Sequence, residues 1–172
     1  SLDVVNGELW VSNAGNGLVN HNDGDITVAE DLVIAREVLG STRTGYTSIY
    51  NMFDGTLDAL NIRFGKNGGT TSAGTAEFNL YGGSVTADDI LFAAAGTGTS
   101  TFNYFGGTLT LDGDRTGILG ESWFNSVAGT QALFDSGSNT TTVSLIPEPA
   151  SAILLGLGSV LIMGRSRRTA NA

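Results

Sequence analysis

Five short segments of this chain share one pattern, an apolar residue followed by asparagine and then, four positions further on, glycine. The pairs Val19-Asn20, Tyr50-Asn51, Phe78-Asn79, Phe102-Asn103 and Phe124-Asn125 lead to Gly24, Gly55, Gly83, Gly107 and Gly129. Successive glycines lie 31, 28, 24 and 22 residues apart. Self-similarity at such a period marks a stack of small units, none of which can bury its apolar face alone. The changing period predicts loop insertions of different length between otherwise equivalent units. The fifth unit loses the apolar residue after the turn and reads as a cap. Near the start, Asn6-Gly7-Glu8-Leu9-Trp10-Val11 resembles the second half of the same unit.

Each unit predicts strands on both sides of its glycine. β-Branched and aromatic residues alternate with polar ones, as in Thr108-Leu109-Thr110-Leu111, and Asp-Gly or Gly-Gly interrupts the run where the backbone must bend. A third short segment with period two follows in Leu32-Val33-Ile34, Leu60-Asn61-Ile62-Arg63-Phe64 and Asp89-Ile90-Leu91-Phe92. Stacking the units places Tyr50, Phe78, Phe102 and Phe124 over one another, with Ile26, Leu57, Val85 and Leu109 as a second row. Asn20, Asn51, Asn79 and Asn103 then form a ladder whose amides bond one another or the turn backbone. The expected fold is all-β: a parallel β-solenoid over residues 1–144, of about four to five coils and of the right-handed β-helix kind. Residues 26–40 also scan as a helix, but the repeat alignment overrides that propensity. The Thr-Gly-Thr-x-x-Phe-Asn-x-x-Gly-Gly-Thr-Leu-Thr run at 97–110 resembles the repeats of autotransporter-like β-helix proteins.

Composition narrows the chemistry. Three of the eight basic residues lie beyond residue 149, so the preceding part sets five bases against seventeen acids, a net charge of −12. A surface so acidic repels phosphate, and nucleic acid is excluded as a partner. With no cysteine there is no disulfide, thiolate chemistry or Cys-ligated zinc. His21 is the only histidine and occupies the unit position filled elsewhere by Met52, Leu80 and Tyr104, which predicts a packing role. Asn22-Asp23-Gly24-Asp25 superficially suggests a calcium loop, but Val19 and His21 stand where two oxygen ligands are needed, so the turn reading wins. Asp88-Asp89 and Asp112-Gly113-Asp114-Arg115 are read as solvated acidic loops, and no metal or other cofactor is expected. Phe53, Tyr81 and Phe105 share a position on the strand side opposite the Phe78 row. If the Phe78 row faces inward they form an external aromatic stripe able to stack on sugar rings, but burial beneath loops or against a neighbouring chain is the favoured reading.

The last residues follow another logic. Pro147-Glu148-Pro149 precedes an uncharged apolar stretch, Ala150 to Gly164, and then Arg165, Arg167 and Arg168. At a rise of about 1.5 Å per residue the stretch covers about 22 Å, a short membrane helix. The arginines would stay on the cytoplasmic side, leaving the rest of the chain across the membrane. This order of elements resembles the PEP-CTERM sorting signal of Gram-negative surface proteins, against the alternatives of an ordinary tail anchor or a buried core helix. The resemblance implies a sorting region at 145–172, with a transmembrane helix over 150–164 and a basic tail. It also implies processing at Pro147, Glu148 and Pro149 by an exosortase, an inner-membrane intermediate, and final residence at the cell surface or in an extracellular matrix that contains exopolysaccharide. The chain begins at Ser1 without the basic region and apolar core of a signal peptide, so a fragment or a mature form is expected. Two classes of function follow: a non-catalytic structural or adhesive surface protein, and an enzymatic one, either a β-helix polysaccharide lyase or hydrolase or the stalk of a larger enzyme. The acids are scattered one or two per unit, without the facing carboxylates of a glycosidase or the base of a lyase beside a charge-neutralising group, which favours the first.

Overall fold

The computed structural model describes residues 1–13, 15–36, 45–65, 74–92 and 98–146. Of these, 63% are in strands and 4% in a helix, and they form a parallel β-solenoid of about three turns. Two short strands, β1 (Leu2–Val4) and β2 (Leu9–Trp10), come first. Three full coils follow as strand pairs: β3 (Gly17–His21) with β4 (Asp25–Ile34), β5 (Thr47–Met52) with β6 (Thr56–Phe64), and β7 (Thr75–Leu80) with β8 (Ser84–Phe92). The fourth, β9 (Thr99–Tyr104) with β10 (Thr108–Asp112), is cut short by a 3₁₀ turn at Thr116–Gly120. The last elements are β11 (Phe124–Ser126), β12 (Thr130–Asp135) and β13 (Thr140–Leu145).

The first strand of each coil joins one sheet, in the order β11-β9-β7-β5-β3, and the second joins another, β1-β4-β6-β8-β10-β13-β12. Their registers repeat the sequence alignment: Val19, Tyr50, Phe78, Phe102 and Phe124 are successive partners, as are Ile26, Leu57, Val85 and Leu109. The rings of Tyr50, Phe78 and Phe102 are fully buried and stacked, with centroids 5.0 and 4.8 Å apart, and Phe124 closes the column at 5.4 Å. Burial pushes the Tyr50 hydroxyl pKa well above its usual value. His21 caps the neighbouring Met52–Leu80–Tyr104 row, buried, with its ring nitrogens 3.0 Å from the Tyr50 hydroxyl and the Gly24 carbonyl oxygen.

Several sequence expectations need correction. The third segment is not a separate strand: β6 and β8 run through it unbroken. What changes is the buried parity, from Leu57 and Ala59 to Ile62 and Phe64, and from Val85 and Ala87 to Ile90. The strand bends at Leu60–Asn61 and Asp88–Asp89, so one strand supplies two walls of the coil. β4 does the same with one extra residue, a bulge between Val28 and Asp31. Beyond the bend, Ile34, Phe64 and Phe92 form another register row, the two rings stacked 5.2 Å apart.

Four to five coils reduce to about three because the repeat signal persists in the turn after the second and third walls have gone. Leu109 and Leu111 of β10 keep the second wall, but β10 ends at Asp112 before a bend. The fifth unit contributes only β11. The solenoid also does not extend in parallel to residue 144: β12 and β13 form an antiparallel hairpin that pairs back onto β10 through Leu109↔Val143 and Leu111↔Thr141. Such a hairpin satisfies the exposed edge of β10 and ends the stack. Leu145, assigned above to the tail, is the last residue of β13 opposite Thr130, and the Ile146 amide donates to the Gly129 carbonyl at 2.8 Å. At the other end, Leu2 pairs with Ile26 and Leu9 with Leu32, so β1 and β2 lie against β4, the second strand of its coil, and Gly7, at φ +102°, separates the two.

Candidate functional site

A solenoid offers whatever its coils repeat on the outside, and two rows stand there. The asparagines point outward, yet they bond one another in a single direction. Asn51 donates to Asn20 at 2.9 Å, Asn79 to Asn51 at 2.9 Å, Asn103 to Asn79 at 2.7 Å and Asn125 to Asn103 at 2.9 Å. Each central amide has its acceptor and one donor hydrogen engaged, which fixes the register of neighbouring coils. This row is a structural spine. Beside it the turn carboxylates serve the backbone: Asp23 accepts from the Gly24 amide at 2.6 Å and Asp54 from the Gly55 amide at 2.8 Å. The calcium-like sequence at 22–25 is therefore a corner, and no group of three or more histidine or carboxylate side chains among the described residues is arranged to hold a metal ion.

Phe53, Tyr81 and Phe105 do form an external row, with side chains 43–45% exposed. Their rings are stacked face to face, with centroids 4.9 and 4.8 Å apart and planes within 8°. The register continues one residue past His21 and Ser126, where the Phe53 amide bonds the His21 carbonyl and the Val127 amide bonds the Tyr104 carbonyl. Asn22 and Val127 thus take the two ends of the row. Sugar stacking needs an open ring face. The row is an apolar ridge along one corner, its ring faces turned to one another within the row.

The wall beyond the bend carries the more varied chemistry. In β4 and β6, the Asp31 carboxylate accepts from the Asn61 amide at 2.8 Å and from Arg63 at 2.6 Å, a buried acid held by an ion pair on the next coil. One coil further, Asp89 holds the corresponding position and meets Arg115, which arrives from the loop before the 3₁₀ turn, at 2.9 Å. Asp114 is occupied by Thr116, whose backbone amide and hydroxyl hold its carboxyl below the usual carboxylate range. Asp112 accepts from Asn139 at 3.1 Å. Trp123 tilts over Phe92 with centroids 4.8 Å apart. Between these groups lies an open cleft of about 390 Å³.

No family model, no curated protein and no solved structure matches the chain. The sorting residues Pro147, Glu148 and Pro149, the stretch 150–164, and Arg165, Arg167 and Arg168 lie outside the described residues. No helix among the described residues is long and apolar enough to cross a membrane. Sequence reading missed the cleft. Its partners Asp89 and Arg115 are 26 residues apart in different units, and the only signal was that the repeat shortens after Asp112.

Proposed function

We propose that this chain is a non-catalytic surface or matrix protein, exported across the inner membrane of a Gram-negative cell and sorted by an exosortase through its C-terminal signal. The observation that carries this reading is the order of sequence elements at 147–168: Pro147-Glu148-Pro149, an uncharged apolar stretch over 150–164, then Arg165, Arg167 and Arg168. A motif for the processing enzyme, a hydrophobic brake and a cytoplasmic charge flank are what a transient membrane intermediate needs. The fold supports a structural or adhesive role in an exopolysaccharide matrix. Its repeated asparagines, glycines and aromatic rings are engaged in holding coil to coil, and the product is a stiff element independent of disulfides. The parallel crossovers are taken as right-handed, the sense that nearly all such connections adopt.

Replacing Pro147, Glu148 and Pro149 together with alanine in the native host tests the proposal. Export should continue, because the apolar stretch and its arginines are untouched, while unprocessed precursor accumulates in the inner-membrane fraction. A variant that reaches the same final location with the same C-terminal cut as the parent would remove the motif from the reading.

A further inference from the structure

The cleft at the fourth coil is a departure from an otherwise regular stack. β8 runs on through Asp89, Ile90, Leu91 and Phe92, but β10 pairs with it only as far as Leu111↔Ala87. The next coil would lay a strand over that last wall. Instead the chain leaves after Asp112, makes the 3₁₀ turn, and returns at Trp123. The result is an open space of about 390 Å³ with an apolar floor from Ile90, Leu111 and Ile118, a half-buried indole at Trp123, and a charged rim. That volume lies within the range of small-ligand sites, which combine apolar walls with a few placed polar groups.

We propose that this cleft binds a neutral saccharide unit. A hexose ring has an apolar C–H face and a girdle of hydroxyls that each donate and accept. Trp123 and Ile118 suit the first, while Asp89 and Arg115, paired at 2.9 Å with both side chains partly exposed, put an acceptor and a fork of donors side by side for the second. The rim has three carboxylates, Asp89, Asp114 and Glu121, against one guanidinium. That excess turns away uronates and phosphorylated ligands. A neutral ring needs no counter-charge. The site is built from β8, β10, the 3₁₀ turn and the residues on either side of that turn, none of them in the sorting signal, so its failure would leave the sorting reading untouched, and the reverse.

The test is a titration of the isotopically labelled protein followed by NMR, using tetrasaccharides of glucose, mannose and galactose, trigalacturonate as the anionic probe, and a lysine-rich pentapeptide. The Trp123 indole N–H and the Arg115 side-chain signals should shift saturably with at least one neutral saccharide, while the Trp10 indole stays still. Arg115→Gln should weaken that binding about tenfold, the loss of one charge-assisted hydrogen bond, without changing the melting temperature. Asp89→Asn, which keeps the shape and removes the charge, should act in the same direction. The proposal is overturned if none of the neutral saccharides produces saturable shifts, if trigalacturonate or the pentapeptide binds more tightly than they do, or if Arg115→Gln binds as the parent does.

Discussion

Phe78→Ala should destabilise the protein by about 3–5 kcal/mol, the usual cost of emptying a large aromatic site in a packed core. Phe78 has no exposed surface and lies between Tyr50 and Phe102, with nearly parallel rings above and below at 5.0 and 4.8 Å. The removed ring leaves a gap in the middle of the column, where two flanking coils cannot close in because the asparagine ladder and the backbone registers on both sides hold their spacing. Collapse is therefore limited, which places the cost toward the upper end. Equilibrium urea unfolding of parent and variant reads the difference directly. A Phe78→Ala protein with the parent's midpoint would mean that the column does not carry the core.

The second large effect is expected at the corners, and it should depend on position along the stack. Gly24, Gly55, Gly83 and Gly107 all adopt positive φ, +90°, +86°, +76° and +79°. Any L-residue there meets the left-handed penalty of roughly 1–2 kcal/mol. At Gly83 there is a second obstacle. A Cβ would stand 2.6 Å from the Gly55 carbonyl oxygen and 2.9 Å from the Asp54 carbonyl carbon, both backbone atoms of the preceding coil. Relief requires the coils to separate, against the Ser84 amide bond to Gly55 at 2.9 Å. Gly24, in the first full coil, would meet nothing within 4 Å. Gly83→Ala should thus cost about 3 kcal/mol or more, combining backbone strain with lost inter-coil contact, whereas Gly24→Ala should cost only the strain. Equal losses in thermal or urea unfolding would show that close stacking is not what selects glycine at these corners.

The ladders were legible because they depend on one register repeated four times. Once Asn20, Asn51, Asn79 and Asn103 are aligned, the residues on either side fall into their inward and outward places by strand alternation alone. The bends were harder to read. Leu57 and Ala59 face inward with odd numbers and Ile62 and Phe64 with even ones, so a uniform alternation breaks into what reads as two strands. The terminal hairpin was illegible for a different reason. Thr140-Thr141-Thr142-Val143 alternates equally well for a parallel or an antiparallel partner, and only the pairing to β10 decides between them. The aromatic row was placed correctly on the outside, but sequence position says nothing about ring orientation. In the structure the rings stack face to face at 4.8–4.9 Å, which no alternation of residues announces. Trp123 escaped notice because it lies just outside the aligned unit, one residue before Phe124.

Mass spectrometry of the C-terminus of the mature protein, recovered from its native host, tests the central claim most directly. Sorting by an exosortase predicts a chain that ends within or next to Pro147-Glu148-Pro149, with the stretch 150–164 and the arginines at 165, 167 and 168 absent from the surface or matrix fraction. Among the described residues the last hydrogen bond is from the Ile146 amide to Gly129, so a cut beyond it keeps every described contact and should leave the solenoid folded. A mature protein in that fraction that still carries residues 150–172 would contradict the claim.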